Sequence, residues 1–211
     1  MSSKRRVIAA AVRGLLRGLS HWEVHGREHL PEGGPLLVVF NHIAHFDGPL
    51  VMASIPWEME ALGLSDLWSV PVTGQLLRLY GVIQVHRDEY DRDVLRKALK
   101  VLAEGRVLAL APEARQSPTH TLERGRRGAA YLAIKSAAPL LPIGLTGTET
   151  VYSSLPRLRR PHLTANIGPV FRLQGPLAKG RTRQAHLDQG RDEIMRRIAA
   201  LLPAEYRGVY G

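Results

Sequence analysis

Residues 35–47 read PLLVVFNHIAHFD, a short, wholly apolar strand (PLLVVF, 35–40) that ends in the polar cluster Asn41-His42-Ile43-Ala44-His45-Phe46-Asp47. Working outward, the same kind of strand returns at about 81–85 (GVIQV), 107–111 (VLALA) and 140–145 (LLPIGL). Helical segments are expected between these strands, at about 47–55, 73–80, 89–104 and 127–137. Strands near 163–167 and 169–173 and a helix at about 181–202 complete the pattern. Strands alternating with helices predict an α/β fold, a mixed but mostly parallel sheet flanked by helices. The length of 211 residues suits one such domain, expected to span residues 21–211.

Three of the strands end in polar residues: His42 to Asp47 after the first, His86-Arg87 after the second, and Pro112-Glu113-Ala114-Arg115 after the third. In an open α/β sheet, ligands bind in the crevice beyond the carboxyl ends of the strands. The three clusters therefore predict one shared site. A histidine followed five residues later by an aspartate occurs twice, as His42 with Asp47 and as His86 with Asp91. His86 leads into the polar run DEYDRD, which reads as a helix start with Asp88 as a candidate cap. His42 instead leaves an apolar strand, and Gly48-Pro49 opens the next element.

A carboxylate bonded to one imidazole nitrogen holds the ring in one tautomer and leaves the other nitrogen free to accept a proton. Such a base is worth about 10²- to 10⁴-fold in rate. A His–Asp pair that merely caps a turn has the same spacing. The chain lacks cysteine and a Gly-x-Ser-x-Gly elbow, so His42 has no evident protein nucleophile to activate. The acceptor's own hydroxyl is then the expected attacking group. His42, His45 and Asp47 match no strong metal-ligand spacing, and no metal is expected. His45 reads as a packing or rim residue.

Lys+Arg 29 against Asp+Glu 19 gives a net charge of +10, which favours polyanionic partners: nucleic acid, anionic lipid or a phosphorylated small molecule. Residues 4–19 (KRRVIAAAVRGLLRGL) have helical period. Ile8, Val12, Leu15, Leu16 and Leu19 fall on one arc, and Arg6, Arg13 and Arg17 on the other. A helix over residues 1–20 with this pattern suits a lipid interface, and equally a helix packed on the domain with a solvated face. Arg13 and Arg17 also interrupt its apolar stretch, which argues against a cleavable signal peptide. No apolar run approaches the roughly 18 residues of a membrane span. The absence of cysteine fits a reducing compartment. Pro156–Pro161 (PRLRRP) is a basic loop.

With these clusters in view, the chain resembles the glycerolipid acyltransferases typified by 1-acylglycerol-3-phosphate (lysophosphatidic acid) acyltransferase. Four ordered blocks carry the resemblance: Asn41-His42 through Asp47; Gly81-Val82-Ile83-Gln84-Val85-His86-Arg87; Ala111-Pro112-Glu113-Ala114-Arg115-Gln116-Ser117; and Leu141-Pro142-Ile143-Gly144-Leu145 followed by Thr146-Gly147-Thr148. The resemblance implies the glycerol-3-phosphate acyltransferase-like fold, His42 as base and Asp47 as its orienting partner. It also implies an acceptor site formed with Asn41, Gly81, Arg87, Glu113 and Arg115, in which Arg87 pairs the glycerol phosphate.

The activity so implied moves a fatty acyl group from acyl-CoA or acyl carrier protein, as co-substrate and without a cofactor, to the hydroxyl of a lysophospholipid. Lysophosphatidic acid is the expected acceptor, in phospholipid biosynthesis. The expected setting is the cytoplasmic face of a membrane, with peripheral or monotopic attachment. The third block departs from the family: Ala114 replaces the usual Gly, Arg115 stands where Thr is usual, and Gln116 takes the usual Arg. A catalytically silent lipid-binding relative is one alternative. A nucleic-acid-binding protein is another, but aromatic residues make up only 6% of the chain and its basic residues are dispersed, so nucleic acid is not expected as a partner.

Overall fold

The computed structural model describes residues 3–64, 68–69, 73–85 and 92–211. The chain begins with helix α1 (Ser3–Leu19) and strand β1 (His21–His25), then runs through β2 (Leu36–Phe40), α2 (Asp47–Ser54), β3 (Met59–Leu64), α3 (Thr73–Tyr80) and β4 (Ile83–Val85). It continues through α4 (Arg92–Ala103), β5 (Val107–Leu110), α5 (Arg127–Ser136), β6 (Leu140–Thr146), α6 (Val151–Ser154), β7 (His162–Ile167) and α7 (Thr182–Ala199). The seven strands form one sheet in the order β1-β7-β6-β2-β5-β3-β4. Every neighbouring pair is parallel except β6 with β7. The expected α/β class and mostly parallel sheet are what the chain adopts.

The strand quoted first is the centre of this sheet. β2 is buried along its whole length because both of its faces are covered, the condition that produces an unbroken apolar run. Leu37 and Val39 join one core with residues of α4, α5 and α7. Leu36, Val38 and Phe40 join a second core with residues of α1 and α2. β5 and β6 flank β2 on either side. The loops after β2, β5 and β6 therefore emerge side by side, where the chain's crossovers change direction.

Three elements differ from expectation. β1 (HWEVH) and β3 (MEALGL) are strands that the apolar pattern missed, and the strand expected at 169–173 is reduced to a single bridge between Leu140 and Phe171. Pro169, with no backbone N–H to donate, interrupts that segment.

Helix α1 packs on α2 and α3, but its inward arc is not the one that apolar residues alone define. Arg13 faces the protein: Nε donates to the Ala53 carbonyl at 3.1 Å and Nη2 to that of Ile55 at 2.8 Å. A guanidinium at the carboxyl end of α2 satisfies carbonyls that the helix leaves unpaired and complements its dipole. Arg5 donates to the Tyr80 carbonyl at 2.7 Å and pairs with the buried Glu60 carboxylate, which Arg106 shares. Leu16 is buried, whereas Val7, Leu15 and Leu19 stand exposed, as do Leu76 and Leu79 of the neighbouring α3. The apolar arc is thus split between core and surface. Among the described residues, no helix is long and apolar enough to cross a membrane.

Candidate active site

Strand β2 ends at Phe40, and the side chain of Asn41 continues its ladder by one rung. Asn41 Nδ2 donates to the Leu145 carbonyl at 2.9 Å, and the Leu145 N–H donates to Asn41 Oδ1 at 2.7 Å. A buried primary amide supplies one donor and one acceptor in the spacing that a neighbouring strand presents. Asn41 therefore fastens the β2 loop to β6.

The chain then turns sharply, and Asp47 enters the first turn of α2 with its side chain wholly buried. Its Oδ2 accepts from the N–H groups of Ile43 at 2.7 Å and Ala44 at 2.8 Å, and from His42 Nδ1 at 2.8 Å. Its Oδ1 accepts from the Thr148 hydroxyl at 2.5 Å. A carboxylate buried without these donors would be costly; surrounded by them, it is held in one orientation. Because an ionised carboxylate only accepts, Nδ1 of His42 carries the proton, and Nε2 of the neutral ring has a free lone pair. The His42 side chain is 26% exposed, so the ring is open to an incoming group.

The third block clamps the backbone of the same residue. The His42 N–H donates to Glu113 Oε2 at 2.7 Å, and the His42 carbonyl accepts from the Ser117 N–H at 2.8 Å. The Ile43 carbonyl accepts from His120 Nδ1 at 2.9 Å and from Gln116 Nε2 at 3.3 Å. Oε1 of Glu113 accepts from the Glu123 N–H at 2.9 Å. Burial pushes the Glu113 carboxyl up to about 7, against the opposing pull of the two amide bonds. Both of its oxygens are engaged by backbone, so in this structure Glu113 braces the histidine from behind.

The remaining expected site residues fall in different places. Arg115 is exposed and its guanidinium pairs with Glu123 within the third-block loop. Gly81 precedes β4, and its carbonyl faces Arg5. The register sets Ile83 beside Leu62, which puts Gly81 about level with Glu60 and well behind the strand ends that carry His42. Its positive φ of 81° serves the turn from α3 into β4. Arg87, like the comparison pair His86 and Asp91 and the candidate cap Asp88, lies outside the described residues. His45 is exposed, with its ring edge-on to Tyr152 at 6.1 Å. Ala114, in the place of the family's usual Gly, adopts φ 57°. It keeps the left-handed turn of a glycine at a cost of about 1 kcal/mol.

Sequence reasoning did not assign Thr148 its place. The residue is fully buried, 101 positions from the aspartate it serves. Gly147, at φ 84°, turns it inward, since any side chain at 147 would collide with the His162 carbonyl. Among the described residues, no group of three or more His, Cys, Asp or Glu side chains could hold a metal ion.

The geometry amounts to an oriented, partly exposed imidazole at the carboxyl edge of a mostly parallel sheet. A family model described as Acyltransferase matches residues 21–146. An uncharacterized protein of Mycobacterium tuberculosis is 31% identical over 196 residues, covering 80% of this chain and 52% of its own length. A 1-acyl-sn-glycerol-3-phosphate acyltransferase of Borreliella burgdorferi is 26% identical over 131 residues, covering 61% of this chain and 52% of its own. The chain spans about half the length of these relatives. The crystal structure of the 1-acyl-sn-glycerophosphate acyltransferase PlsC from Thermotoga maritima has the same fold, with a TM-score of 0.63 at 21% identity, covering 90% of this chain and 80% of that one.

Proposed function

Because the chain belongs to the acyltransferase family, we propose that it transfers a fatty acyl group from a thioester, acyl-CoA or acyl carrier protein, to the free hydroxyl of a lysophospholipid. Lysophosphatidic acid, converted to phosphatidic acid, is the acceptor of first choice, and the names of relatives such as the Borreliella protein support it. The observation that carries the reading is the His42 imidazole, protonated at Nδ1 by its bond to buried Asp47 and open at Nε2.

Nε2 takes the proton of the acceptor hydroxyl as its oxygen attacks the thioester carbonyl. The tetrahedral intermediate then expels the thiolate, which recovers the proton from the imidazolium. No acyl-enzyme is needed. Asp47 stabilises the transient positive charge on the ring, and Thr148, Ile43 and Ala44 hold Asp47 still. Arg87 is the candidate partner of the acceptor phosphate, on the strength of its position in the second block.

The acceptor is amphiphilic, so the reading includes peripheral attachment to a membrane, at the cytoplasmic face. Val7, Leu15 and Leu19 on the outer side of α1, with Leu76 and Leu79 of α3, offer an apolar surface, and Lys4, Arg6 and Arg17 supply cations beside it.

The test is thiol release from acyl-CoA in the presence of a panel of lysophospholipids, with product identified by mass spectrometry. Phosphatidic acid is the expected product. His42→Ala lowers turnover at least about 100-fold without loss of fold. Wild-type protein inert toward every acceptor with both donor types would leave a silent lipid-binding relative, and near-normal turnover in His42→Ala would exclude His42 as base.

A further inference from the structure

Between Thr150 and Pro161 the chain has no acidic residue and carries Arg157, Arg159 and Arg160. Leu158 lies among these arginines, 95% exposed and in the left-handed conformation at φ 54°. A bulky residue at positive φ persists only where its surroundings impose it. Here they do. The Leu158 N–H donates to the Leu155 carbonyl at 3.0 Å, and the Arg159 N–H to that of Ser154 at 3.1 Å. Arg157 Nη1 donates to the Ser153 carbonyl at 2.8 Å. The leucine is therefore held outward on a built turn.

The turn is tied at both ends to surfaces already described. Arg160 Nη2 donates to the carbonyls of Arg17 and Ser20, each at 2.7 Å, which fixes the base of the turn to the end of α1, next to exposed Leu19. At the other end, exposed Tyr152 of α6 packs edge-on against Phe46 at 5.3 Å, within the loop that carries His42 and Asp47.

We propose that the Pro156–Pro161 turn is a second membrane contact that orients the enzyme. Leu158 enters the boundary between headgroups and acyl chains of an anionic bilayer, and Arg157 and Arg159 lie among the lipid phosphates. An exposed leucine between arginines gains nothing from water, whereas an interface that is apolar within and anionic outside matches both components. An acidic carrier protein would reward the arginines but not the fully exposed leucine. Two contacts, α1 and this turn, fix the tilt of the molecule where one helix leaves it free to roll. Tyr152 and Phe46 then bring the histidine loop to the bilayer side. The inference rests on the reading that the acceptor is membrane-borne.

The chain contains no cysteine, so Leu158→Cys gives a single attachment point for an environment-sensitive fluorophore. Lys179→Cys, exposed just before α7 on the other face of the sheet, gives the control. On phosphatidylcholine vesicles containing about one-third phosphatidylglycerol, the label at 158 shifts to the blue and is quenched by shallow nitroxide lipids, and the label at 179 is unchanged. A solvent-like signal at 158 on protein that pellets with the vesicles overturns the proposal, as does failure to pellet at all. The double variant Arg157→Gln, Arg159→Gln lowers partitioning onto these vesicles about thirty-fold and leaves turnover on detergent-dispersed substrate unchanged. If the pair instead loses only turnover with the carrier-protein donor, the turn is a protein-docking site and the membrane proposal falls. Absence of acyl transfer in the wild type would refute the proposed function while leaving the fluorescence result to stand by itself.

Discussion

Replacing Asp47 with asparagine separates its charge from its geometry. Oδ2 faces three donors, the N–H groups of Ile43 and Ala44 and Nδ1 of His42, and among the described residues Oδ1 faces only the Thr148 hydroxyl. An asparagine amide therefore directs its oxygen to the three donors and its NH₂ to Thr148, whose hydroxyl rotates to accept. The loop and the tautomer survive, and what disappears is the negative charge that, in the proposed mechanism, stabilises the imidazolium formed as the acceptor is deprotonated. With Nδ1 and Oδ2 2.8 Å apart, the charge centres lie about 4 Å apart, worth about 4 kcal/mol at an effective dielectric near 20. The ring is partly exposed, which reduces this to about 2–4 kcal/mol, or roughly 30- to 1,000-fold in rate. Thiol release at saturating donor and acceptor measures kcat, and a thermal melt of the same sample checks the fold. A well-folded Asp47→Asn enzyme with kcat within about threefold of wild type would refute the claim that Asp47 acts through its charge on His42.

Other perturbations test neighbouring contacts. Thr148→Val removes one charge-assisted bond from Asp47, and kcat falls about tenfold with KM little changed; Thr148→Ser restores it, and equal defects in both variants would mean the hydroxyl is irrelevant. Glu113 titrates at about 7 in the fold and near 4.5 when exposed. From pH 4.5 to 7 the folded state therefore holds a proton that the unfolded state has lost, and stability falls as pH rises through this window. The fall is about 3 kcal/mol relative to Glu113→Gln, read from urea unfolding at several pH values. Parallel pH profiles for the two proteins would contradict this. Arg5→Met leaves Glu60 with Arg106 as its one guanidinium partner among the described residues, costs about 3 kcal/mol and lowers Tm by about 6–12 °C, as seen by calorimetry. An unchanged Tm would mean that α1 is not part of the folded unit.

Legibility followed sequence distance. His42 and Asp47 are five residues apart on one turn, so their pairing is visible in a short window, and the all-apolar β2 announces a doubly covered strand. Thr148 is invisible by the same standard, because nothing near it in sequence indicates the aspartate it meets. Asn41 and Glu113 were singled out by type, but type alone does not distinguish a group aimed at substrate from one aimed at backbone. In the structure both face backbone. β1 escaped because HWEVH offers only Trp22 and Val24 as apolar residues, at an edge of the sheet where one strand partner suffices. The helical period sets Arg13 on the charged arc, away from the core, since a charged side chain is normally wet; two helix-end carbonyls, spatially close but some forty positions away, reverse that preference.

The contacts that assemble the histidine loop join residues 71, 101 and 104 positions apart. A ribosome-bound chain that has emerged only as far as β5 therefore carries the histidine and its aspartate but neither β6 nor the hydroxyl behind that aspartate. The docking of that one central strand extends the sheet and completes the histidine loop together.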